Sequence, residues 1–319
     1  MKKSSKQISA SQPSKLPAAD GEYCDIYGMR VRFLRGNDAG DGKPFAVGVS
    51  APWDERLRLA YEFAATGAEA IVPNALGSWY RSLAALKVAG VRQATIIIPH
   101  HNNFLVSPER TAVIVNEVRA IFLPIYKSGT SSFRALAHAH FAEFSDRDVM
   151  NSTSLSSAID PRDPIFAAYK KFTFIREPMQ RFGSFFRDKL MVAEGSPNHE
   201  TFANPIAILM DRHLDAKTAA EFITSMPQEF CDPHYKPQWL TLTFKNEVLA
   251  DYIFRLGDNE SLKKVGIDHT FVKRLSTDTR RSDYALDQTL SDAESLIRNY
   301  YRRDYRMWRD SAAAKRNVA

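Results

Sequence analysis

Apolar positions along the chain fall into short β-rich runs separated by stretches of helical spacing. Residues 45–49, 68–72 and 93–98 have the length and composition of strands, and residues 53–66 and 78–89 between them read as helices. Strand and helix alternate, which predicts a parallel sheet. Residues 120–126 form a second apolar run, followed by a predicted helix over 133–141, and residues 172–175 repeat the strand before Pro178, a residue suited to the first helical turn. Beyond Glu194 the pattern is mostly helical, clearest over 216–226, with one further strand at 253–256. The fold class that follows is α/β: a parallel sheet with P-loop-like phosphate loops flanked by helices, a mostly helical C-terminal part and an extra N-terminal α/β segment.

Both later strands run into polar loops that open helices. Behind residues 120–126 comes Lys127-Ser128-Gly129-Thr130-Ser131-Ser132. Gly129 permits a tight bend, and the hydroxyls and unpaired N–H groups of Thr130, Ser131 and Ser132 stand where the helix dipole attracts phosphate. Lys127 adds a full charge. The order is not that of a Walker A loop, because the lysine precedes the glycine and no glycine stands ahead of it. Nothing in the loop implies a metal. The second block, Arg176-Glu177-Pro178, is followed by Arg181 and Ser184 about one and two turns along the helix. Right-handed crossovers bring such loops to one sheet edge, so Lys127 and Arg176 are expected to converge there around a bisphosphorylated nucleotide.

These blocks resemble the carbohydrate sulfotransferases that use 3′-phosphoadenosine-5′-phosphosulfate, in the branch of chondroitin and HNK-1 type enzymes. The donor loop of that family reads Pro-Lys-x-Gly/Ala-x-Thr/Ser-Ser/Asn, which Lys127 to Ser132 match. Its second block, Arg-Asp/Glu-Pro-x-x-Arg-x-x-Ser-x-Tyr/Phe with a following Asp-Lys, is reproduced by Arg176-Glu177-Pro178, Arg181, Ser184, Phe186 and Asp188-Lys189. His234-Tyr235-Lys236-Pro237-Gln238, Asp251-Tyr252-Ile253 with Glu260-Ser261-Leu262, and the closing stretch around Asp304-Tyr305 are similar to three further blocks, collinear over about residues 119–310. The cysteines that in the animal enzymes usually stand just after the block matched by residues 234–238, and the membrane anchor of those enzymes, are missing, as suits a bacterial, cytoplasmic relative.

The resemblance implies direct in-line transfer of a sulfuryl group to a carbohydrate hydroxyl, without a metal. Lys127 and the loop N–H groups would stabilise charge on the bridging phosphate oxygen. Ser128, Gly129, Thr130, Ser131 and Ser132 would cradle the 5′ phosphosulfate, and Arg176 and Ser184 would clasp the 3′ phosphate. Arg181 is either a further ligand or the partner of an acid. The acceptor hydroxyl needs a base, and histidine is the usual choice. His234, in a Pro-rich loop, is the first candidate. His138 and His140 lie two or three turns down the donor-loop helix, too far from its phosphate end unless the helix is short, and His140 is the alternate.

Composition narrows the remaining possibilities. The chain has 319 residues, a net charge of +6 and two cysteines, Cys24 and Cys231, without metal-ligand spacing. The basicity sits at the ends: Met1 to Asp20 carries four lysines against one aspartate, and Arg298 to Ala319 seven basic residues against two aspartates. The body between them is slightly acidic. No RNA-stacking signature or zinc-finger spacing accompanies this charge, so a nucleic-acid partner is not expected. The basic tails suit solvated, flexible charge or peripheral contact with a membrane or anionic glycan.

No apolar run approaches the roughly 20 residues of a membrane span, and the polar start lacks a signal-peptide stretch, so a cytoplasmic location is expected. The expected division is a disordered basic tail over 1–20, an α/β accessory segment over 21–118, a sulfotransferase domain over 119–310 and a tail over 311–319. In the accessory segment, His100-His101-Asn102-Asn103 follows a strand and reads as a polar loop, with ligand binding as the alternative. Two other functions share the basic loops. A metal-dependent P-loop-type phosphoryl transferase would need a magnesium carboxylate at a strand end, which the sequence does not offer. A non-catalytic polyanion-binding protein would need neither donor site nor base.

Overall fold

The structure is a computed structural model that describes residues 22–26, 28–35, 42–47, 51–73, 78–98, 109–148, 155–269 and 290–313. The stretch 100–103 and the tail 1–20 lie outside the described residues. Two five-stranded sheets and one short hairpin form among those residues. The first sheet holds β1 (Tyr23–Ile26), β2 (Met29–Arg35), β3 (Lys43–Pro44), β4 (Ala70–Pro73) and β5 (Gln93–Ile98) in the order β1-β2-β5-β4-β3. Helix α1 (Trp53–Ala64) joins β3 to β4, and α2 (Trp79–Val88) joins β4 to β5. The alternation of strand and helix therefore gives the expected parallel pairing from β2 to β3, while β1 folds back antiparallel on β2.

The second sheet contains β6 (Arg110–Val115), β7 (Ala120–Phe122), β8 (Ser157–Ile159), β9 (Lys170–Ile175) and, after the hairpin β10 (Thr243–Phe244) and β11 (Glu247–Val248), β12 (Tyr252–Arg255), in the order β12-β9-β7-β6-β8. Strands β7, β9 and β12 are parallel, as the two strand-loop-helix units required. The sheet as a whole is mixed. Only four residues separate β6 from β7, with Arg119 at φ +49°, and so short a link permits antiparallel pairing alone. Pairing in β7 stops at Phe122, short of the expected residue 126, although Leu123 N–H still donates to the Phe172 carbonyl at 2.8 Å.

Strand alternation builds two apolar layers on this sheet. Phe122, Phe172, Phe174 and Phe254 meet Phe133, Leu136 and Ala137 of α3 (Thr130–His140) on one face. On the other, Ile121, Leu123 and Ile175 meet Leu242, Phe244 and Trp308. Helix α4 (Pro178–Phe185) follows β9, with Glu177 capping it by accepting from Gln180 N–H. A π-helical turn then spans Phe186–Leu190.

The remaining helices are α5 (Asn204–Met210), α6 (Ala216–Thr224), α7 (Gln238–Leu242), α8 (Asn259–Leu262), α9 (Glu294–Tyr300) and α10 (Arg302–Ala313). Helix α2 is buried on nearly every side, which places it inside a core and not on a surface. It shares that core with α4, α5, α6 and α9. Trp79 Nε1 donates to the Phe230 carbonyl at 2.9 Å, and Lys87 Nζ donates to the carbonyls of Ile208 and Leu209. The first sheet is thereby fastened, through α2, to the chain that follows the second.

Asp304 of α10 has no solvent exposure and accepts from Gln238 N–H at 2.8 Å and Trp239 N–H at 2.9 Å. It thus satisfies donors at the start of α7. Burial pushes its carboxyl up to about 6, against the pull of those two amides and of the Arg181 charge. A raised folded-state pKa means that the folded protein holds this proton more tightly than the unfolded chain. Its contribution is complete below the unfolded value of about 3.9 and is lost as pH rises through about 6. Urea unfolding of wild type and Asp304→Asn between pH 4 and 7 should therefore show their stability difference falling by on the order of 3 kcal/mol as pH rises. A difference independent of pH would mean that folding leaves the Asp304 carboxyl unshifted.

Candidate active site

The loops after β7 and β9 open onto one cleft of about 280 Å³. Its walls include Tyr126, Lys127, Gly129, Thr130, Ser131 and Ser132 from the first loop, and Arg176, Ser184, Asp188 and Lys189 from the second unit. His234 and Arg134 complete the polar lining. Of the expected donor-site residues, only Ser128 and Arg181 are absent from these walls.

The first loop is built around two left-handed residues, Lys127 at φ +66° and Gly129 at φ +91°. The glycine adopts this conformation freely, whereas at a lysine it is uncommon. Ser128 N–H closes the turn on the Ile125 carbonyl at 3.1 Å, and Thr130 Oγ donates to the same carbonyl at 2.9 Å. Helix α3 begins at Thr130, three residues earlier than expected, because Gly129 already serves as its N-cap. The loop hydroxyls consequently belong to the first turn of the helix, where backbone N–H groups have no intrahelical acceptor.

Ser128 and Arg181 have other partners. The Ser128 side chain is fully buried and donates to Gln238 Oε1 at 3.0 Å. Arg181, 3% exposed, donates from Nε to the Tyr126 carbonyl at 3.0 Å and from Nη2 to the Pro233 carbonyl at 3.2 Å. It therefore braces the first loop against the loop of His234. Gln238 accepts from Arg176 N–H at 3.0 Å as well, and returns a bond from Nε2 to the Arg176 carbonyl at 2.8 Å. One carboxamide so joins both anion loops.

Charge dominates the cleft. Lys127 is ion-paired with Asp188, which also holds Lys189 at 3.3 Å. Burial lowers the Lys127 pKa, with the Asp188 carboxylate acting the other way. For Asp188 burial is again the largest influence and pushes the pKa up, but the bond from Lys127 and the two lysine charges outweigh it, and the net shift is down. Arg176 is lowered by burial and by the nearby Arg187. Arg134, one turn beyond Thr130, is 9% exposed; its Nη2 donates to Ser156 Oγ, while its buried Nε has no hydrogen-bond partner among the described residues. Four cations and one carboxylate line this space, which suits a ligand with several anionic groups.

His234 stands at the cleft wall with its Nδ1 2.7 Å from Asp232 Oδ1. The same oxygen accepts His234 N–H at 2.9 Å, so the Asp-Pro-His sequence forms an Asx turn. Asp232 is buried, and its acceptor role fixes the proton on Nδ1 and leaves Nε2 as the basic atom. Tyr126 and Phe202 flank the imidazole, with ring centroids 4.8 and 5.2 Å away. His140 lies elsewhere. It stacks on His269 at 4.0 Å, ten residues along α3 from Thr130 and so roughly 15 Å from the loop.

Sequence reasoning missed roles for four residues here. Asp232 was detectable through its Asx-turn spacing to His234, and Arg134 through its four-residue spacing from Thr130. Gln238 and Asp188 belong to quoted motifs, but their partners lie 110 and 61 residues away. Replacing Gln238 by alanine strands the buried Ser128 hydroxyl and Arg176 N–H. The expected loss is about 2–4 kcal/mol in urea unfolding. A loss below about 1 kcal/mol would show that the loops hold their spacing without it.

Neither a search of curated proteins nor one of solved structures returned a match to the chain. The family model described as the sulfotransferase family matches residues 121–309, a span that contains both anion loops, the His234 loop, Gln238 and Asp304. That match covers more than half of the chain, and the protein belongs to the sulfotransferase family.

Proposed function

We propose that the protein transfers a sulfuryl group from 3′-phosphoadenosine-5′-phosphosulfate to a hydroxyl of a carbohydrate acceptor. The observation that carries this reading is the joining of two cationic strand-loop-helix units by Gln238, which sets Lys127 and Arg176 on one cleft. The orphaned Nε of Arg134 and the surplus of cations in that cleft fit a nucleotide bearing several anionic groups. Thr130 and Ser131 present hydroxyls and amides to the 5′ phosphosulfate, and Arg176 with Ser184 holds the 3′ phosphate. The acceptor oxygen forms a bond to sulfur as the bond from sulfur to the bridging phosphate oxygen breaks. Lys127 neutralises the charge left on that oxygen. His234 Nε2 takes the proton of the acceptor hydroxyl, and Asp232 stabilises the imidazolium that results.

Calorimetry with 3′-phosphoadenosine 5′-phosphate in EDTA tests the donor assignment. Wild type should bind without added metal, and Arg176→Ala or Ser184→Ala should weaken this nucleotide by roughly 1.5–3 kcal/mol while affecting adenosine 5′-phosphate far less. Equal losses for both nucleotides would remove the second loop from the 3′-phosphate site. Binding only with magnesium would favour phosphoryl transfer.

The base is tested separately. His234→Ala should lower kcat on a polysaccharide hydroxyl by two to four orders of magnitude, roughly, and leave affinity for the donor product near wild type. Wild-type turnover in that variant would return His234 to a structural role.

A further inference from the structure

We infer that Asp188 is a positioning residue for Lys127, pairing with its ammonium and holding it aimed along the donor loop. The inference rests on the proposed role of Lys127 in that cleft, but the coupling between the two side chains is a separate matter. Asp188 is anchored independently of Lys127. The π-helical turn that carries it closes with Met191 N–H on the Phe186 carbonyl at 2.9 Å. Asn198 Nδ2 donates to the Asp188 carbonyl at 3.0 Å, and Lys189 Nζ reaches both Asn198 Oδ1 at 3.1 Å and the Asp188 carboxylate at 3.3 Å. A π-turn inside a helix is a local departure that often accompanies functional sites. Here it follows directly on α4, so that Ser184 and Asp188 both line the cleft.

Lys127, by contrast, comes from a loop residue in the left-handed region, with its side chain 16% exposed. Its ammonium is paired with Asp188 and sits amid other cations. Lys189 and Arg176 both disfavour another positive charge there, and so does burial. Asp188 is therefore the group that opposes the loss of a proton which burial and the neighbouring cations favour. A neutral amine could not compensate charge on a leaving oxygen. When an anion enters the loop, the same ammonium lies between the carboxylate and the incoming oxygens, and its approach direction is already set.

Competitive labelling with acetic anhydride tests this without any nucleotide, because only the neutral amine reacts. Lys127 is compared by mass spectrometry with the exposed Lys217 across pH 6 to 10. In Asp188→Asn, Lys127 should label about tenfold faster at neutral pH relative to Lys217, with the pH midpoint of its labelling moved down. Asp188→Glu should restore behaviour near wild type, a rescue that a packing role would not produce. Labelling of Lys127 unchanged in a folded Asp188→Asn protein overturns the inference.

Should that variant fail to fold, Asn198→Ala decides the matter. It loosens the Asp188 backbone while leaving every charge in place, and must shift Lys127 labelling in the same direction; no shift overturns the inference. Calorimetry of wild type with 3′-phosphoadenosine 5′-phosphate is run alongside. A shift in labelling with no nucleotide binding would sink the donor assignment and leave the Asp188 coupling standing.

Discussion

One buried primary amide bridges the two loops that follow β7 and β9. Gln238 Oε1 accepts from Ser128 Oγ and from Arg176 N–H, and its Nε2 donates to the Arg176 carbonyl. The planar carboxamide thus docks on the Arg176 backbone as a strand would, and ties the other loop to it through a hydroxyl. Gln238 is itself held through its backbone by Asp304. All three side chains, of Ser128, Gln238 and Asp304, are shielded from solvent. A buried polar network of this kind has two useful properties: it is stiff when complete, and every missing bond leaves a desolvated group behind. The β7 and β9 backbones are parallel neighbours in any case. What the network adds is the placement of the loops beyond the last paired residues, where the sheet no longer dictates geometry.

The consequence of that placement is an accumulation of like charge. Lys127, Arg134, Arg176 and Arg181 all have pKa values depressed chiefly by burial. Arg181 answers this with two carbonyl acceptors and needs no anion. Lys127 has Asp188. Arg134 has an incomplete set of partners, and Arg176 lies near Arg187 and Arg181. A multiply charged anion relieves the repulsion among these cations and replaces the solvation that burial removed. Affinity for the proposed donor would then be built in by burial of charge that the rest of the fold must stabilise.

Local reading of the sequence reached the elements and missed the distant pairs. Helix α1 was legible because its spacing follows the face it buries, β9 and α2 because they are apolar stretches of strand and helix length buried on nearly every side, and the convergence of the two loops followed from parallel connection alone. Motif membership was a coarser guide. It placed Ser128 with the ligands and left Arg181 between a ligand and the partner of an acid, whereas the fold turns the first toward Gln238 and the second toward two carbonyls. A motif records which residues a loop requires, and both contact and support are requirements. The π-helical turn at Phe186–Leu190 was illegible for another reason: its apolar residues satisfy helical spacing equally well with or without the extra residue. The bonds from Gln238 to Asp304 and from Trp79 to Phe230 span 66 and 151 residues, and no local pattern encodes them.

The last of these pairs bears on how His234 is supported. Residues ahead of 121 lie outside the stretch that matches the sulfotransferase family, yet α2 is buried among helices that lie inside it. Tyr80 of α2 donates its hydroxyl to the Thr201 carbonyl, and the Arg81 guanidinium lies 5.2 Å from the Phe202 ring. Phe202 in turn meets the imidazole of His234 edge to face, and Lys189 approaches the same ring at 5.3 Å. The wall behind His234 therefore consists of Phe202 with α2 packed against it. Without α2, Phe202 and Phe222 would lose the Tyr80 ring that packs on both, and Phe230 the indole that bonds its carbonyl. Asp232 would lie beside an opened core, and an exposed carboxylate is a poor means of fixing a tautomer, because water competes for the imidazole proton. The setting of His234 at the cleft wall thus depends on a segment that, among the described residues, contributes none to the cleft itself.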